Sequence, residues 1–479
     1  MRRSGLYLAA AALLTAAVAC SLNPATGKQQ LSLIGEQQEI ALGREADQQI
    51  AASMGIYDDA GLSSYLEGVG RRLAARSERP ELPWSFRVVD DPTVNAFALP
   101  GGYLFMTRGI LAHLDNEAEM AGVLGHEIGH VTARHSVEQI SRQQLAGIGL
   151  GIGMIVSEEV REFGGLAQTG LGLLFLKYGR DDERQADDLG LRYMTREGYD
   201  PRQLPGVFET LERVSAAQGA GRIPEWLSTH PNPGSRATRL AADVAAAAAG
   251  IASPRVARDD YLGQLDGVVF GDDPRQGYFE GSAFYHPQLA FSLGFPAGWR
   301  TANQRQQVLA VSPQQDAAVV LTLDDAASAA AAAQSFFAQS GIQATRTQRG
   351  NVGGLSAVSG NFVVARQGAA SITGEATFVE HGGRVFRLLG YTTENRWRSY
   401  GGTLRGAVGS FRRVTDRRVL GVEPARLDLV RLPSAMTLRE FQGRYNVSVD
   451  LQTLALINQA TADTRFDGGT TLKRVVGGR

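Results

Sequence analysis

Residues 125–130 read Gly-His-Glu-Ile-Gly-His. An α-helix turns about 100° per residue, so positions four apart stand over one another on one face. On such a helix His126 and His130 can offer two imidazole nitrogens to a single ion, and zinc accepts such donors at roughly 2.0–2.1 Å. Glu127 sits about 100° round the helix, where it can act on a water without being a ligand. Two histidines and a water leave a tetrahedral ion one donor short. The same spacing also suits two histidines on an ordinary helix, so the fold is constrained only if a second element brings the missing donor.

The string Glu183-Arg-Gln-Ala-Asp187 can be that element. Glu183 and Asp187 are again four apart on a helix. Glu183 can complete a His-His-Glu set, and Asp187 can accept a hydrogen bond from the second nitrogen of a ligand histidine. The surrounding "RDDERQADD" also reads as a charged, solvated helix face, and the histidine motif is what favours the ligand reading. One helix is expected over about Asn116 to Leu145. His135, five residues past His130, then points off the ligand face, and it and His113 read as structural. His230 lies in "STHPNPGSR", a loop that prolines stiffen. It reads as an oxyanion stabiliser, as an occupant of the open zinc position at rest, or as a plain loop histidine.

The chain has 479 residues, too many for one core, so roughly two to four domains are expected. Its net charge of −1 supplies no basic field, and nucleic acid is not expected as a partner. Cys20 is the sole cysteine, which excludes an internal disulfide and a cysteine metal cluster. Arg2 and Arg3 precede "GLYLAAAALLTAAVA", which reads as a secretory signal rather than a membrane span. Val18-Ala19-Cys20 resembles a bacterial lipobox, with Ala17 where leucine is usual, and Cys20 would become the lipidated first residue. Ser21 resembles the outer-membrane sorting pattern. The expected location is the periplasm, lipid-anchored to the outer membrane.

Along the chain, helical spacing gives way to strand, turn and strand in "WSFRVVDDPTVNAFALPGGYLFMTRGIL". Residues 146–176 are apolar and glycine-rich, too short in either half to cross a bilayer, and read as buried helix or packed loop. The divisions expected are a leader (1–20), a first domain (21–255), a linker (256–282), an α+β module of unknown role (283–414) and a small last unit (415–479).

The strings "GHEIGHVTARHS", "ERQAD", "STHPNPGSR" and "NAFALPGGYLFMTRGIL" together resemble the zinc metallopeptidases of family M forty-eight, which include soluble periplasmic lipoprotein proteases. The resemblance covers roughly residues 30–250. It implies a multidomain α+β chain whose first domain is a mostly helical, gluzincin-type metallopeptidase with a small β-sheet. It implies one Zn2+ per chain held by His126, His130 and Glu183, Glu127 as general base and acid, and an active-site role for His230. Asp187 and Arg236 would stand behind the ligands. Asn95, Ala96, Phe97 and Ala98 would form an edge strand on which an extended substrate can add. The stretch from Met436 to Val475 resembles a βααβ LysM module through Thr437, Leu438, Ile457, Asn458 and Gly469, implying peptidoglycan as a partner. "LAFSLGFPAGWR" is faintly similar to the opening of PsbP-like α/β domains. The implied function is a zinc endopeptidase of the bacterial envelope acting on misfolded or unassembled envelope proteins. A zinc-binding, peptidoglycan-associated scaffold or chaperone and a cell-wall peptide hydrolase are the alternatives.

Overall fold

The computed structural model describes residues 20–150, 173, 176–217, 229–230, 233–366 and 369–478. The leader and most of the apolar, glycine-rich stretch lie outside these. The described chain forms two compact units: residues up to Gly271 together with Ala425–Val476, and residues Asp272–Pro424 with the last three residues.

Unit 1 opens with a short antiparallel hairpin, β1 (Cys20–Leu22) and β2 (Gln29–Leu31). Helices α1 (Glu36–Ser53) and α2 (Ala60–Ala74) follow, then a three-stranded sheet of β3 (Ser85–Val89), β4 (Ala96–Leu99) and β5 (Tyr103–Thr107). Its order is β3-β5-β4, with β3 parallel and β4 antiparallel to β5, which leaves β4 at an edge. The Pro100-Gly101-Gly102 turn before β5 needs glycine, since both glycines have positive φ (80° and 102°).

After α3 (Arg108–His113), Asn116 caps α4 (Glu117–Thr132), its side chain accepting from the Glu119 N–H. The long helix expected from Asn116 is in fact two. Arg134 takes a left-handed φ of 60°, and the chain restarts as α5 (His135–Leu150). A non-glycine residue there costs about 1–2 kcal/mol. Charge-assisted bonds hold it: Arg134 Nε donates to Glu39 Oε2 (2.9 Å) and Nη2 to the Ile34 carbonyl (2.8 Å). Arg79 grips the other oxygen of Glu39 at 2.8 Å, so one buried carboxylate ties α1 to the helix break.

Helices α6 (Arg180–Arg196), α7 (Leu204–Ala217), α8 (Pro233–Ala249) and α9 (Arg258–Leu265) complete the first passage. Helix α9 falls where a linker was expected. Tyr261, Leu262 and Leu265 are fully buried in the core shared with α2 and α4, and Tyr261 donates to the Leu111 carbonyl at 2.7 Å.

The chain returns to unit 1 at Ala425, where 425–431 pairs with 471–477 around two short helices, 438–444 and 451–457. Residues 425–476 thus share a compact unit with the first passage, whereas the sequence divides them off at 415. Leu438, Phe441, Leu454, Ile457 and Leu472 belong to the same hydrophobic cluster as Leu111 and Val123. Lys473 is fully buried and donates to the carbonyls of Ala112 (3.2 Å) and Leu114 (2.6 Å) at the C-terminal end of α3. Gln459 donates to Glu119 Oε2 at 2.7 Å.

Unit 2 has its own core around Phe284, Phe291, Phe386 and Phe411. A seven-stranded antiparallel sheet runs in the order 342–352, 355–364, 372–381, 384–393, 317–324, 307–311, 300–303, beside a four-stranded sheet and helices 329–337 and 397–408. The chain is therefore multidomain and α+β, and among the described residues no helix is long and apolar enough to cross a membrane.

Two outcomes are expected. Lys473→Met leaves buried carbonyls without a donor and should cost about 2–4 kcal/mol in urea unfolding of the intact chain. Burial lowers the His113 pKa to about 4. The unfolded chain, with an ordinary value near 6.5, then holds more protons between pH 6.5 and 4, so folding stability falls as pH drops through that window. His113→Gln should flatten the slope by up to about 1.4 kcal/mol per pH unit, read from urea midpoints across the window.

Candidate metal centre

Helices α4 and α6 meet backbone to backbone. A Cβ placed on Gly125 would stand 3.1 Å from the Cα and carbonyl oxygen of Gly190, and one placed on Gly190 would stand 2.8 Å from the His126 nitrogen. A Cβ on Gly129 would stand 3.0 Å from the Ala186 carbonyl oxygen. Gly125 and Gly129 on one helix face Gly190 and Ala186 on the other, each pair four apart. The approach has a direct consequence: His126 and His130 beside one seam converge with Glu183 and Asp187 beside the other.

The donor atoms of His126, His130, Glu183 and His230 all lie within 4.8 Å of one another, and all four residues are buried. His126 Nε2 is 3.0 Å from His130 Nε2 and 3.3 Å from His230 Nδ1. Glu183 Oε1 is 2.8 Å from His230 Nδ1 and 3.5 Å from His130 Nε2, and Glu183 Oε2 is 3.7 Å from His126 Nε2. Donors bonded at roughly 2.0–2.1 Å around a tetrahedral zinc ion are separated by roughly 3.3 Å, and these spacings bracket that value. Glu127, 1% exposed, is outside the donor set, with Oε1 3.6 Å from His230 Nε2.

The hydrogen-bond network assigns the tautomers. His126 Nδ1–H points at Asp187 Oδ1, 3.1 Å away. His130 Nδ1 is 3.0 Å from His135 Nδ1, and His135 Nε2 is 3.0 Å from Gln185 Oε1, a group that accepts. With His135 protonated on Nε2, its Nδ1 accepts from His130. Both ligand histidines then carry their protons on Nδ1, and two bare Nε2 lone pairs face each other at 3.0 Å. A cation between them is what makes that contact favourable.

Charge agrees. Burial, with Arg236 adding to it, lowers the His126 pKa to about 3, and burial lowers that of His130. Both imidazoles are therefore neutral and fit to ligate. Burial alone would raise the Glu183 carboxyl, but His230 and hydrogen bonds with His130 and His230 outweigh it and hold Glu183 well below its usual range. For Asp187 burial is likewise outweighed, by bonds from His126 and Arg236. Arg236 donates through Nε to Asp187 Oδ2 (3.0 Å) and through Nη2 to Oδ1 (2.5 Å), its guanidinium lying 4.5 Å over the Phe208 ring.

The three candidate ligands His126, His130 and Glu183 thus lie together, and His230 sits among the donors. Ala96–Ala98 lie on the edge strand β4, against which α4 packs, and Asn95 immediately precedes it. Cys20 opens the hairpin β1–β2 and is not among the clustered donors. His135 is the miss. Five residues on an unbroken helix would carry it away from His130, but the break at Arg134 turns it back to bond the ligand. Tyr178, whose ring centroid is 4.0 Å from that of His130, was not read either; no motif marks it.

Substitutions separate the two supports. Gly190→Ala should lower zinc affinity at least tenfold in competition with a chromophoric chelator. His135→Leu should weaken it about 10–100-fold, and His135→Asn, which keeps an acceptor near the Nδ1 position, should recover most of the loss.

Residues 62–244 match Peptidase family M48. The beta-barrel assembly-enhancing protease of Yersinia pestis is 31% identical over 223 residues, covering 45% of this chain and 46% of that one. Its Escherichia coli namesake is 30% identical over 223 residues, covering 44% and 45%. Mitochondrial metalloendopeptidase OMA1 of Arabidopsis thaliana is 34% identical, covering 39% of this chain and 37% of that one. The chain spans about half the length, or less, of these curated relatives. Cyanobacterial PsbP from Synechocystis covers 28% of this chain and 95% of its own at 14% identity, with a TM-score of 0.24.

Proposed function

Residues 62–244 are a peptidase family M48 domain, and on that footing we propose that the whole chain is a zinc-dependent endopeptidase of the cell envelope. The observation that carries it is the convergence of His126, His130 and Glu183 on one buried point with Glu127 beside it. M48 peptidases use zinc, and the donor set here fits one ion. When bound, the ion supplies a Lewis acid and acidifies water next to it. His126, His130 and Glu183 hold it, while Asp187 and Arg236 fix the His126 ring. Glu127 takes the proton of the attacking water and returns it to the leaving amine. His230 is either a fourth donor at rest or a hydrogen-bond donor to the oxyanion, and its Nδ1 position 3.3 Å from His126 Nε2 favours the first.

The substrates proposed are unfolded or unassembled envelope proteins, laid as an added strand along Asn95–Ala98. The relatives named for β-barrel assembly support that class. We also propose acylation at Cys20, with outer-membrane placement, and glycan contact through the LysM-like residues 415–479.

Casein digestion by the intact chain tests the activity. Glu127→Gln should lower the rate at least about a hundredfold with zinc still bound, and a zinc chelator should abolish it. Equal rates for the variant and the parent would sink the assignment of the base.

A further inference from the structure

The hairpin β1–β2 reverses the usual alternation. Cys20 pairs with Leu31, Ser21 with Gln30 and Leu22 with Gln29. Cys20, Leu22, Gln29 and Leu31 therefore occupy register positions on one side, and Ser21 and Gln30 on the other. The inward side is polar: Ser21 Oγ accepts from Arg134 Nη1 (3.1 Å), Asn23 Nδ2 donates to the Ala133 carbonyl (3.2 Å), and Gln30 and Ser32 are buried. The outward side carries the leucines. Leu22 is 62% exposed and Leu33, continuing the alternation, is 37% exposed. The Leu33 N–H donates to Ser141 on α5, and Leu145, one turn further along that helix, is 45% exposed. A half-polar strand pair normally buries its apolar side against the domain; this one presents it to the surroundings.

We propose that this leucine face is a pad that lies on a phospholipid bilayer. The occupant follows from where the chain enters: the apolar run of residues 5–19 leads straight into Cys20, the first residue of β1. Acylation at that position brings lipid chains to the face where Leu22, Leu31 and Leu33 stand, and exposed Lys28 at the hairpin turn faces anionic headgroups. The inward bonds to Arg134 and Ala133 brace the hairpin against unit 1 at the helix break, so the pad fixes that part of unit 1 close to the membrane surface. The inference rests on the proposed anchoring.

The test uses the intact chain on phosphatidylethanolamine–phosphatidylglycerol vesicles. Acylation blocks the chain's one natural cysteine, so bimane can be placed at Gln29→Cys on the pad and, in a second sample, at Asp463→Cys, an exposed remote site. Nitroxide-bearing lipids should quench the first label at least twice as strongly as the second. Leu22→Ser with Leu33→Ser should speed transfer between vesicles at least threefold. Leu323→Ser with Leu420→Ser, exposed leucines of unit 2, should leave it unchanged. Equal quenching at both labels, or unchanged transfer for the pad variant, overturns the proposal. Intact mass, read before labelling, reports acylation separately: an acylated chain with an unquenched pad label defeats the pad alone, and an unacylated chain defeats the anchor on which the pad rests.

Discussion

The contact on which the site depends is between two backbones. Helices α4 and α6 touch at Gly125, Gly129, Ala186 and Gly190, with room for no side chain between them. The motif glycines are usually passed over as spacers between the histidines. Here they set the distance at which an imidazole on one helix and a carboxylate on the other can reach the same point. Close packing in interiors leaves such a seam little freedom to slide.

Around that seam the polar groups form two relays. One runs from His126 through Asp187 to Arg236 and Arg239. The other runs from His130 through His135 to Gln185. The first stabilises with charge, the second with neutral groups only. Together they turn both Nε2 atoms inward, leaving the net negative charge of the cluster on Glu183. Two neutral donors and one anion suit a divalent cation without excess charge to desolvate.

The ligands were legible because helical spacing is local: four residues apart means one face, whatever the rest of the chain does. The helix start near Asn116 and the strands before it were legible for the same reason. His135 was not, because its position depends on Arg134 adopting a left-handed turn, and that turn is held by Glu39, 95 residues earlier. No local pattern announces such a bond. The place of residues 425–476 was hidden in the same way. Nothing local in "TTLKRVV" marks Lys473 for burial; the carbonyls at the end of α3 receive its ammonium.

That return of the chain bears on the order of events during synthesis. The Lys473–Ala112 bond closes a separation of 361 residues, with residues 272–424 of unit 2 between its ends. Closing so long a loop costs little more entropy than closing a shorter one, but it cannot happen before residue 473 has been made. Unit 2, almost contiguous in sequence, can fold as soon as it emerges. The core that carries the metal cluster must wait with part of its apolar surface uncovered until the C-terminal strand arrives. A chain of this layout completes the core around its metal-binding helices only after residues 272–424 have been made.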